Sequence, residues 1–140
     1  MKPRNHVLLC CLLTALMPLT VSYAETPEAA AVKSAESWLG IVDSGDYSKS
    51  WEGSAALFRA AVTKEQWQQA MDASRKPLGS LVSRKVKSTQ YATSLPGAPD
   101  GEYVVIQFTT SFSNKQSATE TVTPMKDPDG AWRVSGYYIK

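Results

Sequence analysis

The chain has 140 residues, 15 basic and 13 acidic, with one histidine and two cysteines. Such an inventory leaves little from which to build a zinc centre, a thiol nucleophile or a histidine-based triad. A formal net charge of +2 gives no electrostatic case for a nucleic-acid partner.

The first 24 residues read as a processing signal. Lys2 and Arg4 precede an apolar run from Val7 to Val21, and Ser22-Tyr23-Ala24 sets small residues at the two positions a signal peptidase reads. Cleavage is expected between Ala24 and Glu25. The apolar run falls short of the roughly 20 residues of a membrane span and is interrupted by Pro18, so no membrane anchor is expected after cleavage. Cys10 and Cys11 sit inside the run, and Leu9 is not the small residue that precedes a lipidated cysteine. The expectation is a periplasmic or secreted protein. Cleavage would remove His6 and both cysteines. It would also take the 15 basic residues to 13, level with the acids. Residues 25–140 then suffice for one domain with a single core.

Helical signals fill the first half of that domain. Thr26 before Pro27 is an N-cap followed by proline in the first turn, and Ala31, Ala35, Trp38, Leu39 and Val42 recur at helical spacing. Ser44-Gly45 ends this helix. Asp46 can cap a second in which Tyr47 and Trp51 share a face. A short third turn carries Leu57 and Phe58. Thr63 and Gln66 form a capping-box pattern opening a fourth helix, with Trp67, Ala70, Met71 and Ser74 inward and Lys76-Pro77-Leu78-Gly79 as its stop.

Strand signals fill the second half, beginning at Leu81. From Tyr103 to Phe112 the chain alternates, with Val104, Ile106, Phe108, Thr110 and Phe112 on one face. The next strand sets Thr119, Thr121, Thr123 and Met125 against Glu120, Val122 and Pro124. Pro124 suggests an edge or a local break. The turn Asp127-Pro128-Asp129-Gly130 leads into a last strand, where strict alternation groups Trp132, Val134, Gly136 and Tyr138 against Arg133, Ser135, Tyr137 and Ile139. Gly136 is the expected point of curling. Residues 93–102 make a long loop rich in Pro and Gly.

Charge is unevenly placed. Glu25 to Glu52 is acidic, and Gly53 to Tyr91 is basic, with Arg75, Lys76, Arg84, Lys85 and Lys87. A solvated face is the ordinary reading of such a run. Asp43 and Asp46 fit helix ends, and Glu120 fits a solvated or cross-strand-paired position. The aromatic set of Trp38, Tyr47, Trp51, Trp67, Phe108 and Trp132 either surrounds a hollow, which would be a ligand pocket, or packs as a solid core.

The runs WLGIVDSGDYSKSW (38–51), TKEQW (63–67), LGSLVSRKVKS (78–88), PGAPDGEYVVIQF (96–108) and DGAWRVSGYYIK (129–140) resemble the bacterial secreted family called domain of unknown function 4019, DUF4019. The resemblance spans nearly all of residues 25–140 and implies no activity. Its element order is similar to the NTF2-like (cystatin-like) α+β cones, which include ketosteroid isomerase-like enzymes, dehydratases, carriers and dimerising modules. Fold alone does not choose among these. The dehydratases' histidine has no counterpart here, and the isomerases' paired oxyanion donors have no assigned positions.

The expected architecture is α+β, with N-terminal helices packed on a curved four-stranded antiparallel sheet. The expected role is a non-catalytic binding module without cofactor or metal. Its partner would be a second copy or an envelope protein, met through an open sheet face bearing Tyr103, Val105, Tyr137 and Ile139. The alternative is a small-molecule carrier or enzyme using the cone interior.

Overall fold

A computed structural model describes residues 17–140. The basic start and most of the apolar run, with His6, Cys10 and Cys11, lie outside the described residues. Residues 17–26 are irregular and exposed, and among the described residues no helix is long and apolar enough to cross a membrane.

Four helices precede four strands: α1 (Pro27–Asp43), α2 (Tyr47–Glu52), α3 (Ala56–Ala61), α4 (Lys64–Ser74), then a 3₁₀ turn (Lys76–Leu78), β1 (Leu81–Ala92), β2 (Tyr103–Phe112), β3 (Lys115–Lys126) and β4 (Trp132–Ile139). Local chemistry sets the helix starts. Thr26 Oγ1 accepts from the Ala29 amide at 3.1 Å, and Asp46 Oδ1 accepts from the Lys49 amide at 3.1 Å. Thr63 and Gln66 complete a reciprocal capping box, at 3.0 and 3.1 Å.

The strands form one antiparallel meander in the order β1-β2-β3-β4. Val104, Ile106, Phe108, Thr110 and Phe112 are all buried on the helix-covered face of β2. Helix α1 lies across the sheet and meets every strand, with Ala31, Ala35, Trp38, Leu39 and Val42 buried against it. Helix α3 is tied to β4 by the Ala55 amide, which donates to the Val134 carbonyl at 2.8 Å.

The rings of Trp38, Phe58, Trp67 and Tyr137 pack on one another, with centroids 5.0 to 6.3 Å apart in tilted and edge-on pairs. Their indole N–H groups are turned into the helix layer. Trp38 Nε1 donates to the Ser50 carbonyl at 2.8 Å, Trp67 Nε1 to Ser50 Oγ at 2.9 Å, and Trp51 Nε1 to the Val62 carbonyl at 2.7 Å. Each ring is therefore buried without an orphaned donor, and each such burial contributes about 1.5–3 kcal/mol.

Strict alternation fails in β4. The register slips between Thr123 and Pro124, so Thr123 pairs with Gly136 while Pro124 pairs with Val134, leaving Ser135 as the extra residue. Pro124 thus lies in a central strand; the β2–β3 register carries no Val104–Pro124 or Val105–Thr123 pair there, as expected of a residue without an N–H, and the bulge falls on the β4 side. Beyond the bulge the faces exchange. Tyr137 pairs with the buried Val122 and Ile139 with the buried Glu120, so both face the helices, while Tyr138 turns outward.

Candidate functional site

At the centre of the helix-covered face lies a closed set of charges. Glu120, on the central strand β3, is fully buried, with 0% exposure. Its Oε1 accepts from Arg84 Nε at 2.7 Å and from Thr110 Oγ1 at 2.6 Å. Its Oε2 accepts from Arg84 Nη2 at 3.2 Å and from the Tyr137 hydroxyl in a short hydrogen bond. Arg84 reaches this place because it stands opposite Thr110 in the β1–β2 register, on the inward face of an otherwise exposed strand.

The same guanidinium also grips Asp43, the last residue of α1. Nη1 donates to Oδ2 at 2.7 Å and Nη2 to Oδ1 at 3.0 Å. Arg75, at the end of α4, donates to Asp43 Oδ1 at 3.2 Å and to the Gly79 carbonyl at 2.6 Å, and its guanidinium carbon lies 4.4 Å from the centroid of the Phe112 ring. Two guanidinium groups thus face two carboxylates, and the buried network is formally neutral. Arg75 Nε and Thr121 Oγ1 are buried atoms without a partner among the described residues.

Burial opposes the Arg84 charge, yet its hydrogen bonds to Asp43 and Glu120 and their charges hold its pKa above the usual arginine value. Burial, with the Glu120 charge next in weight, pushes the Tyr137 phenol well above an ordinary tyrosine. Tyr137 therefore stays protonated and donates. A general base needs a lone pair that a substrate can reach. Both Glu120 oxygens already accept two hydrogen bonds each behind a layer of rings. The arrangement clamps α1, α4 and the sheet together rather than offering a carboxylate to solvent.

This corrects three expectations. Glu120 is paired across strands, as one of its two readings had it, but it is fully buried rather than solvated and its arginine stands two strands away. Asp43 is no simple helix-end residue, since two arginines hold it; Asp46 does cap α2. Arg75 and Arg84 leave the basic face for this network, and of the bases in the 84–87 run Lys85 and Lys87 stay exposed.

The ring set named from the sequence divides. Trp38, Tyr47, Trp67 and Phe108 are buried in one cluster, with Trp51 and Trp132 half-buried against it. The proposed interface residues are not brought together. Val105 lies on the outer face, opposite Gln90 of β1. Tyr103 shares that face but is 1% exposed, covered by the 93–102 loop, whose Pro99 carbonyl accepts from its hydroxyl at 2.6 Å. Tyr137 and Ile139 are on the other side of the sheet, displaced by the bulge at Ser135. The outer face of β2 and β3 instead presents Val105, Gln107, Thr109 and Thr119, with Thr121 buried beside them and Tyr138 of β4, paired with Thr121, 51% exposed. None of these carries a charge.

Among the described residues no group of three or more His, Cys, Asp and Glu side chains is placed to hold a metal ion.

A helix layer in the hollow of a curved, open four-stranded antiparallel sheet defines an α+β protein. The family model described as Protein of unknown function (DUF4019) matches residues 34–137, and the chain belongs to that family. Comparison with curated proteins and with solved structures returned no match.

Proposed function

We propose that the protein is an exported, non-catalytic interaction module that pairs with a second copy through the outer face of its sheet. The observation that carries this reading is the division of labour between the two faces. The inner face is filled by packed rings, and its carboxylates are fully engaged. The outer face has no helix over it and keeps an uncharged centre of Val105, Gln107, Thr109 and Thr119, with the buried Thr121 beside them. Depletion of charge at the centre of a patch is characteristic of protein interfaces. Lys85, Arg133 and Lys140 stand only at its margins, so two such faces meet without like charges opposed at the centre. The NTF2-like resemblance supports this reading as a fold-level analogy, since that group includes dimerising modules. Export rests on the basic start, the apolar run and the Ser22-Tyr23-Ala24 site.

A face of four strands of this length presents roughly 600 Å², against about 800 Å² per partner in a standard interface. The dimer is therefore expected to dissociate on dilution. Sedimentation of the purified protein tests it. A concentration-dependent dimer should be lost when Gln107 and Thr109 are both replaced by lysine, with the circular dichroism unchanged. A monomer at all concentrations, or a dimer indifferent to the substitutions, defeats the self-pairing. A monomer that crosslinks to another envelope protein through Thr109 would move the partner's identity but keep the face.

A further inference from the structure

A second surface lies against the end of β4 and shares Tyr138 and Lys140 with the margin of the outer sheet face. Helix α4, the 3₁₀ turn and the end of β4 enclose a groove of about 330 Å³, with Trp67, Met71, Leu78, Tyr137, Ile139 and Lys115 among its walls. That volume is near the lower end of ligand-binding clefts, and it matches about ten waters at roughly 30 Å³ each.

Its chemistry is one-sided. The polar ends of two of its three aromatic walls point away from the groove; the third, Tyr138, is half-exposed. Trp67 Nε1 is engaged by Ser50 and the Tyr137 hydroxyl by Glu120, so both residues have ring surface rather than donors to offer. Met71 is buried and supplies a polarisable floor. The charged side chains among the walls, Lys115 and Lys140, are both cationic, and neither forms an ion pair among the described residues. An apolar trough whose charged side chains are both lysines suits a ligand with an apolar body and one negative group.

We propose that this groove binds a small amphipathic anion, a monocarboxylate with an aromatic or short aliphatic body, its ring or chain against Trp67, Met71 and Tyr137 and its carboxylate on Lys115. The site is distinct from the centre of the outer face, and neither Gln107 nor Thr109 lines it.

Phenylacetate and its uncharged counterpart phenylacetamide are the probes. Methyl and indole resonances of the purified protein report where they bind. Phenylacetate is expected to shift the Met71 methyl and Trp67 indole signals saturably, and phenylacetamide to bind about tenfold more weakly, the loss of one charge-assisted contact. Lys115→Gln should weaken phenylacetate by about the same factor and leave phenylacetamide unchanged. Ala70→Phe, on the exposed rim of α4, should fill the groove and abolish binding of both. Equal binding of acid and amide, shifts confined to other residues, or no saturable shift would overturn the proposal. Signals elsewhere in the spectrum show whether each variant is folded, so a silent result counts against the groove and not against the fold.

Discussion

Tyr137 joins the two halves of the interior. Its ring sits edge-on against Trp38 and Trp67, and its hydroxyl donates to Glu120. Because burial raises its pKa above the free value of about 10, folded and unfolded chains hold the same proton below that pH. Above it, the unfolded chain releases the proton while the folded chain keeps it. The unfolded state then binds fewer protons, and stability falls by about 1.4 kcal/mol per pH unit for this one group. The stabilising contribution is whole below about pH 10 and is lost as pH rises from there towards the folded pKa. Tyr137→Phe should remove that slope while costing about 1–2 kcal/mol near neutral pH, because Glu120 loses a donor. Urea unfolding between pH 8 and 11 measures both. An unchanged alkaline slope would mean that Tyr137 does not hold its proton in the folded state. Little of this was legible in the sequence. Tyr137 and Glu120 are 17 residues apart, and Arg84 lies 36 from Glu120, so only the strand pairing reveals the cluster. One signal was present: Thr110 breaks the apolar parity of β2, and a polar residue on an inward face asks for a polar partner.

At the scale of elements, what could be read locally was read. Thr26, Asp46 and the Thr63–Gln66 box set the helix starts, and alternation placed the inner face of β2, because caps and pleats depend on near neighbours. The faces of β4 could not be read that way. Gly136 marked the right neighbourhood, but the bulge is visible only in how β4 pairs with Thr123 and Pro124 of the facing strand, and one extra residue reverses every side chain after it. The joint between α4 and the sheet shows the same non-local control. Gly79 has φ +79°, and a Cβ there would stand 2.1 Å from Ser113 Oγ in the β2–β3 turn. This approach lets the Asn114 amide donate to the Leu78 carbonyl at 2.9 Å and the Ser113 amide to the Ser80 carbonyl at 2.8 Å. Gly79→Ala should therefore cost at least about 2 kcal/mol, combining backbone strain with the collision. Adding Ser113→Ala should recover the collision and leave the strain. Denaturant midpoints of the two variants separate these contributions, and a harmless Gly79→Ala would show that the joint can open.

Across the whole molecule, the charge asymmetry along the chain folds into pairs. Acidic Asp43 meets Arg75 and Arg84, and Glu52 meets Lys64 at 2.7 Å, so the uneven charge of the sequence is offset by contacts between its acidic and basic stretches. Long-range pairing of this kind lies wholly within α1 to β4. The segment before it is different. Residues 17–26 are irregular and exposed, and their contribution to the folded unit is the cap at Thr26, together with a carbonyl accepting from the Ala30 amide at 3.0 Å. Met17, Leu19, Val21 and Tyr23 lie open to solvent, a concentration of apolar surface that the folded unit does not use. A chain beginning at Glu25 keeps Thr26 and every contact of the core. Its unfolding free energy should match that of the full chain within about 0.5 kcal/mol, as for surface changes generally. Its retention on a hydrophobic matrix should fall sharply. Parallel urea titrations and chromatography of the two chains test this. A clear loss of stability in the shorter chain would mean that the segment before Glu25 packs on the domain.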